Sequence, residues 1–170
     1  MVSRLDSLLV DGLTDVLKNE ADVYGEILKI SRSKTDIIVA GKAAELEKLN
    51  RQEQAMVFQI TDMEDVREKI IAKLAVQFQR KPLELTVSVL TGLLPEDKSQ
   101  QLKDIHEKLL GTLKEIKGVN SLNSKLIRNS IDYIDFSINL ITGAEASNNL
   151  YGNSGQTSDA RKRNFFDVKL

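Results

Sequence analysis

Residues 5–37 read LDSLLVDGLTDVLKNEADVYGEILKISRSKTDI, and steps of three and four through them select Leu5, Leu9, Leu13, Val16, Glu20, Val23, Ile27, Ile30, Lys34 and Ile37. That spacing is the stripe of an amphipathic helix with two charges set into it. After Gly41, a natural helix stop, the spacing resumes as Leu46, Leu49, Glu53, Met56, Ile60, Met63, Arg67, Ile70, Leu74 and Phe78. Again two positions are charged. A short connection between two long helices favours an antiparallel hairpin, in which facing residues have numbers of nearly constant sum. The sums for Glu20 with Arg67 and for Lys34 with Glu53 are equal, so one register, centred between Ala43 and Ala44, joins opposite charges twice. Such pairs would specify register more than they stabilise, because desolvation offsets much of the attraction. The alternative places all four charges at the solvated edge of the stripe, where ion pairs contribute little.

Outward from this hairpin the pattern changes and then returns. Residues 81–95, KPLELTVSVLTGLLP, carry both prolines of the chain, Pro82 and Pro95, and read as a connector that is either a short helix or an extended piece. Pro95 followed by Glu96 and Asp97 suits the first turn of a new helix, where the missing N–H costs nothing and acidic residues complement the dipole. Its stripe runs Leu102, Ile105, Leu109, Leu113, Ile116, Asn120, Asn123, Ile127, Ile131, Ile134, Ile138 and Ile141, and its phase survives Gly118. One helix to about Thr142 is therefore expected. The fold class is all-α, an elongated antiparallel bundle of three long helices, at about 3–41, 44–79 and 95–142, joined by the connector 80–94. The longest would measure about 70 Å at 1.5 Å per residue.

Composition narrows the function. The chain has 170 residues, 41% hydrophobic and 29% charged, enough for one domain, expected at 1–143. It has no cysteine and one histidine, His106, which removes thiolate and multi-histidine metal sites, and no metal or other cofactor is expected. A formal net charge of -1 does not suit a protein that neutralises many phosphates, so nucleic acid is not an expected partner. No run of about 18 apolar residues exists to span a membrane, and Arg4, Asp6 and Asp11 interrupt any signal-peptide core, which points to the cytoplasm. No phosphate loop or nucleophile elbow occurs, so no catalytic residue is assigned and an enzyme is not expected.

What remains is surface for binding. Leu122, Leu126, Tyr133, Phe136 and Leu140 flank the stripe of the last helix and cover more of it than one partner seam requires. An amphipathic segment of another protein could lie along it, or the first two helices could bury it all. Beyond Gly143 the sequence AEASNNLYGNSGQTSDARKRNFFDVKL reads as a flexible tail, 144–170, yet it holds Tyr151, Phe165 and Phe166. These aromatics either dock onto the chain's own helices or form a short motif that orders on a partner. Arg161, Lys162 and Arg163 could meet an acidic surface or merely solubilise the tail.

Residues 150–157, LYGNSGQT, resemble the Leu-Tyr-Gly-x-x-Gly-Gln motif of the FlgN flagellar export chaperones, with Gly152 and Gly155 in the glycine positions. Lys34, the small turn at Ala40 and Gly41, the run from Glu45 to Leu49, Glu53 and Arg67 resemble that family's first hairpin. Asn120 and Asn123, followed by Leu126, resemble its Asn-x-x-Asn element. The end, NFFDVKL, departs in being more aromatic, which leaves the role of Phe165 and Phe166 open. The resemblance implies a non-enzymatic chaperone that holds the carboxy-terminal segments of FlgK and FlgL and delivers them to the export gate component FlhA. It implies Tyr151 as the gate-docking residue and the last helix as the substrate surface, with Ile127, Ile131, Ile134 and Ile138 as candidate anchors. A monomer forming a one-to-one complex, with an affinity of about 0.1 to 10 μM, is expected, since release must remain possible. A cytoplasmic coiled-coil adaptor that pairs with its own copy is the rival.

Overall fold

The computed structural model describes the backbone of residues 4–150 and the side chains of residues 7–143. Among these residues the protein is all-helical, with no strand. Its elements are α1 (Arg4–Val39), α2 (Ala43–Gln77), a 3-10 turn (Pro82–Glu84), α3 (Val87–Leu93) and α4 (Glu96–Leu150). The chain divides into two compact units, Met1–Asn129 and Ser130–Leu170. The connector contains the 3-10 turn and a short helix, one of the two forms expected for it, so the described residues hold three long helices and one short one. One boundary differs from the sequence reading: α4 continues through Gly143 to Leu150. Gly143 alone lacks the left-handed turn and following breaker that would end a helix, and its cost of about 1 kcal/mol is small against a rod of this length.

The first unit is built on the α1–α2 hairpin. Gly41 sits at φ 67, its N–H donates to Ile38 O at 3.1 Å, and the Lys42 N–H donates to Ile37 O at 3.1 Å. This double closure is a Schellman motif, and it needs the left-handed backbone that glycine adopts without strain. The end of α2 repeats it, with Gln79 N–H to Val76 O at 3.2 Å and Arg80 N–H to Ala75 O at 2.9 Å. Here the left-handed residue is Gln79, at φ 51. Thr86 then caps α3, its hydroxyl accepting from Val89 N–H at 3.3 Å. Leu94 is extended, as a residue before proline prefers, and the Pro95 carbonyl accepts from Ser99 N–H as α4 begins.

The largest core lies where the start of α1, the end of α2, α3 and the start of α4 meet. Val10, Leu13, Leu17 and Ala21 of α1 cluster with Leu74 and Ala75, with Leu85 and Leu90, and with Leu102, Ile105 and Leu109. α1 is the central helix of this unit, buried on two sides. Leu13, Glu20, Ile27 and Lys34 recur every seven residues, while Val10, Leu17, Ala21, Ser31 and Ile38 fill a second buried line. Glu20 and Lys34 of the first line pair with α2, and Ser31 of the second bonds both α2 and α4.

In the second unit, residues 130–143 of α4 are largely exposed. Ile131, Tyr133, Ile134, Phe136, Ile138, Leu140 and Ile141 all present their side chains to solvent. Such a density of apolar side chains in water is unusual for a helix with no further partner.

Candidate functional site

The hairpin carries its charges inward. Arg67 Nη1 donates to Glu20 Oε2 at 2.7 Å, with Glu20 almost fully buried and Arg67 about one-third exposed. Glu64 stands 3.8 Å from the same guanidinium. The second oxygen, Glu20 Oε1, is buried without a hydrogen-bond partner. Burial pushes the Glu20 carboxyl above its ordinary range, and this outweighs the opposing pull of Arg67, with Glu64 adding repulsion. Tyr24 is shifted upward too, first by burial and then by Glu64 and Glu20. This pair therefore does not make the charged carboxylate comfortable. It compensates a cost that would be larger without Arg67.

Near the hairpin turn a second polar group joins three helices. Lys34 Nζ donates to Glu53 Oε2 at 2.5 Å, and Ser31 Oγ donates to Glu53 Oε1 at 3.2 Å, so both carboxylate oxygens are engaged. From α4, Asn123 Nδ2 donates to Ser31 O at 2.8 Å, while Thr35 Oγ1 donates to Asn123 Oδ1 at 2.7 Å. Asn123 is thus buried with donor and acceptor both used, as a buried amide requires. Beside this network is an open cleft of about 300 Å³, lined by Lys34, Ile38, Leu46, Asn50, Glu53, Asn120, Asn123, Ser124 and Ile127. Asn120 is exposed in its wall, one turn from Asn123.

Sequence reasoning missed Ser31 and Thr35, the partners that fix Asn123. Their signal was two hydroxyls four residues apart on α1, able to face one side chain of α4. It also missed the links between α1 and α4. Lys98 bonds Asp11, Lys108 Nζ reaches Asp22 Oδ1 at 3.3 Å, and Arg32 Nη2 reaches Glu115 Oε2 at 2.5 Å. The partners' numbers differ by 87, 86 and 83, and Thr35 and Asn123 differ by 88. A nearly constant difference means that α4 runs parallel to α1. The test that finds antiparallel neighbours uses sums and cannot see this pairing.

Of the candidate anchors, Ile127 lines the cleft at 38% exposure, and Ile131, Ile134 and Ile138 lie along one face of α4 in the second unit, all exposed. Tyr151, Gly152 and Gly155 lie outside the described residues, as do Phe165 and Phe166. Among the described residues no group of three His, Cys, Asp or Glu could hold a metal ion, and no helix is long and apolar enough to cross a membrane.

The class defined by these features is an all-helical protein with ion pairs buried between its first two helices and an apolar face exposed on its last helix. The family described as FlgN protein matches residues 1–159, nearly the whole chain. The protein belongs to the FlgN family, a family of chaperones in flagellar assembly. A protein of Bacillus subtilis (strain 168), named only as uncharacterized protein YvyG, is 25% identical over 159 residues, which cover 92% of this chain and 96% of that one. No solved structure matches.

Proposed function

We propose that this protein is a cytoplasmic export chaperone that binds the carboxy-terminal segments of FlgK and FlgL, prevents their premature assembly and delivers them to FlhA at the flagellar type III export gate. Membership of the FlgN family supports the reading. The observation that carries it is the exposed line Ile131, Ile134, Ile138 and Ile141 on α4, spaced as the seam for one amphipathic guest helix. A segment built to pair with its neighbours in a polymer has an apolar face before assembly, and covering that face blocks early association. In this reading Ile127 is a further anchor, and Tyr151 docks at the gate.

Calorimetry with FlgK and FlgL carboxy-terminal peptides, with light scattering on the same samples, tests the proposal. A monomer that takes up one peptide with an affinity of about 0.1 to 10 μM, or about -7 to -10 kcal/mol, is the expected result. A stable dimer indifferent to both peptides would refute it in favour of an adaptor that pairs with its own copy. Tyr151→Ala is expected to weaken binding to FlhA and leave the peptide titration unchanged. Equal loss of both would defeat the separation of the two roles.

A further inference from the structure

Residues 130–143 carry more exposed apolar surface than one guest helix covers. At about 3.6 residues per turn, Ile131, Ile134, Ile138 and Ile141 share one side, and Tyr133, Phe136 and Leu140 share another, nearly opposite. Asp132 and Asp135 form a strip between the two and are the only charged residues in this stretch. The second side is as open as the first: Tyr133 is 71% exposed, Phe136 60% and Leu140 58%. A seam with one helix occupies a stripe about 100° wide, so the aromatic side needs an occupant of its own.

We infer that this second side is covered by the end of the same chain, with Phe165 and Phe166 packed on Tyr133, Phe136 and Leu140, and with Arg161, Lys162 and Arg163 over Asp132 and Asp135. Charge is the first argument. The run at 161–163 is the one place in the sequence with three consecutive basic residues, and only Asn164 separates it from the Phe pair, while the acidic strip borders the aromatic side. Length is the second. From Leu150 back to Phe136 along the helix is about 21 Å at 1.5 Å per residue. Fifteen residues, the number from Leu150 to Phe165, have at random-chain dimensions an end-to-end distance of about 19–23 Å. When linker length matches the span, the effective local concentration is on the order of millimolar, so a weak contact suffices. Aromatic pairing adds to plain area burial, and the ionic part is screened by salt.

The inference rests on the export reading in one respect, that the isoleucine side is the one left open for a guest. With the aromatic side covered by its own tail, a single chain offers one binding seam instead of two, and copies cannot pair through the second.

The absence of cysteine allows a nitroxide to be placed uniquely, by Val168→Cys, on the full isotope-labelled chain. Paramagnetic loss of the amide signals of Tyr133, Phe136 and Leu140 is expected, with the signals restored by adding Phe165→Ser and Phe166→Ser, and partly restored by high salt. Undiminished signals would overturn the inference. So would loss confined to Ile131, Ile134 and Ile138, which would put the tail on the guest side, or loss in a mixture of spin-labelled and isotope-labelled chains, which would make the occupant a second copy. Peptide calorimetry on the Phe165→Ser, Phe166→Ser chain separates the two readings: binding equal to that of the parent is expected. Binding absent from both chains would sink the export proposal, while the relaxation pattern alone decides where the tail lies.

Discussion

Removing Arg67 while keeping Glu20 should destabilise the protein far more than removing both. In Arg67→Leu the carboxylate is left almost fully buried, with Oε1 already unpartnered and Oε2 stripped of its donor. Breaking a buried pair from one side costs about 3–5 kcal/mol. Arg67 is itself about one-third exposed, so water can partly replace it, and the lower half of that range is expected. At about 2–4 °C per kcal/mol for a chain of this size, Tm should fall by roughly 6–16 °C. The Glu20→Leu, Arg67→Leu double variant should lie within about 1 kcal/mol of the parent, since the upward shift at Glu20 means that burial already outweighs the attraction. The pH dependence has a definite sign. A carboxyl whose folded pKa is raised binds its proton more tightly in the native state, so its contribution is most favourable below the unfolded value and is lost as pH rises through the folded one. The deficit of Arg67→Leu should therefore shrink as pH is lowered from 7 toward the ordinary carboxylate range, and the double variant should show no such recovery. Thermal unfolding followed by circular dichroism at several pH values measures all of this. A single variant no worse than the double, or a deficit that grows on acidification, would refute the argument.

Gln79→Gly should raise stability by about 0.5–1 kcal/mol, because the left-handed backbone there costs a side chain and costs glycine nothing; denaturant unfolding reads the change. Asn123→Leu should destabilise by about 1–3 kcal/mol, since the Ser31 carbonyl loses a donor and the Thr35 hydroxyl an acceptor, with unchanged helix content by circular dichroism. Ile134→Ser with Ile138→Ser should weaken peptide binding in calorimetry by about 10- to 100-fold through loss of anchors, yet move Tm little, because both residues are exposed in the free protein.

Much of the fold could be read because its determinants are periodic and local. The stripes of α1 and α2 set the hairpin, and Gly41 marked its turn through the one backbone conformation that glycine favours. The end of α4 could not be read the same way. Residues 144–149 are Ala, Glu and small polar residues with no apolar stripe, yet nothing there stops a helix, and absence of amphipathicity is not presence of a breaker. Orientation between α1 and α4 was hidden because its markers are surface charges separated by more than eighty residues, where chance pairs abound. The site was legible in outline only. Asn123 stood out as a polar residue in an apolar stripe, but its partners on α1 are small hydroxyls that carry no periodic signal of their own.

The heptad positions explain why charges are tolerated inside the hairpin. Along α1 the buried line reads Leu13, Glu20, Ile27, Lys34, and along α2, taken in reverse, the matching positions read Leu74, Arg67, Ile60, Glu53. In the native register leucine faces leucine, isoleucine faces isoleucine, and each charge faces its opposite. Slip by one heptad in either direction sets charged positions against apolar ones. Slip by two brings Glu20 to Glu53 or Lys34 to Arg67, which are like charges. Had all eight positions been apolar, each of these slips would keep most of its burial, and two long rods offer several such alternatives. The pairs thus act by penalising wrong alignments more than by strengthening the right one, which is why the double variant can be nearly as stable as the parent and still be less well defined. Replacing all four charges with leucine should leave a helical, cooperatively unfolding protein whose amide spectrum shows more than one set of signals for residues 43–77. A single sharp set would mean that the Asn123 network and the Gly41 turn suffice to hold the register without the charges.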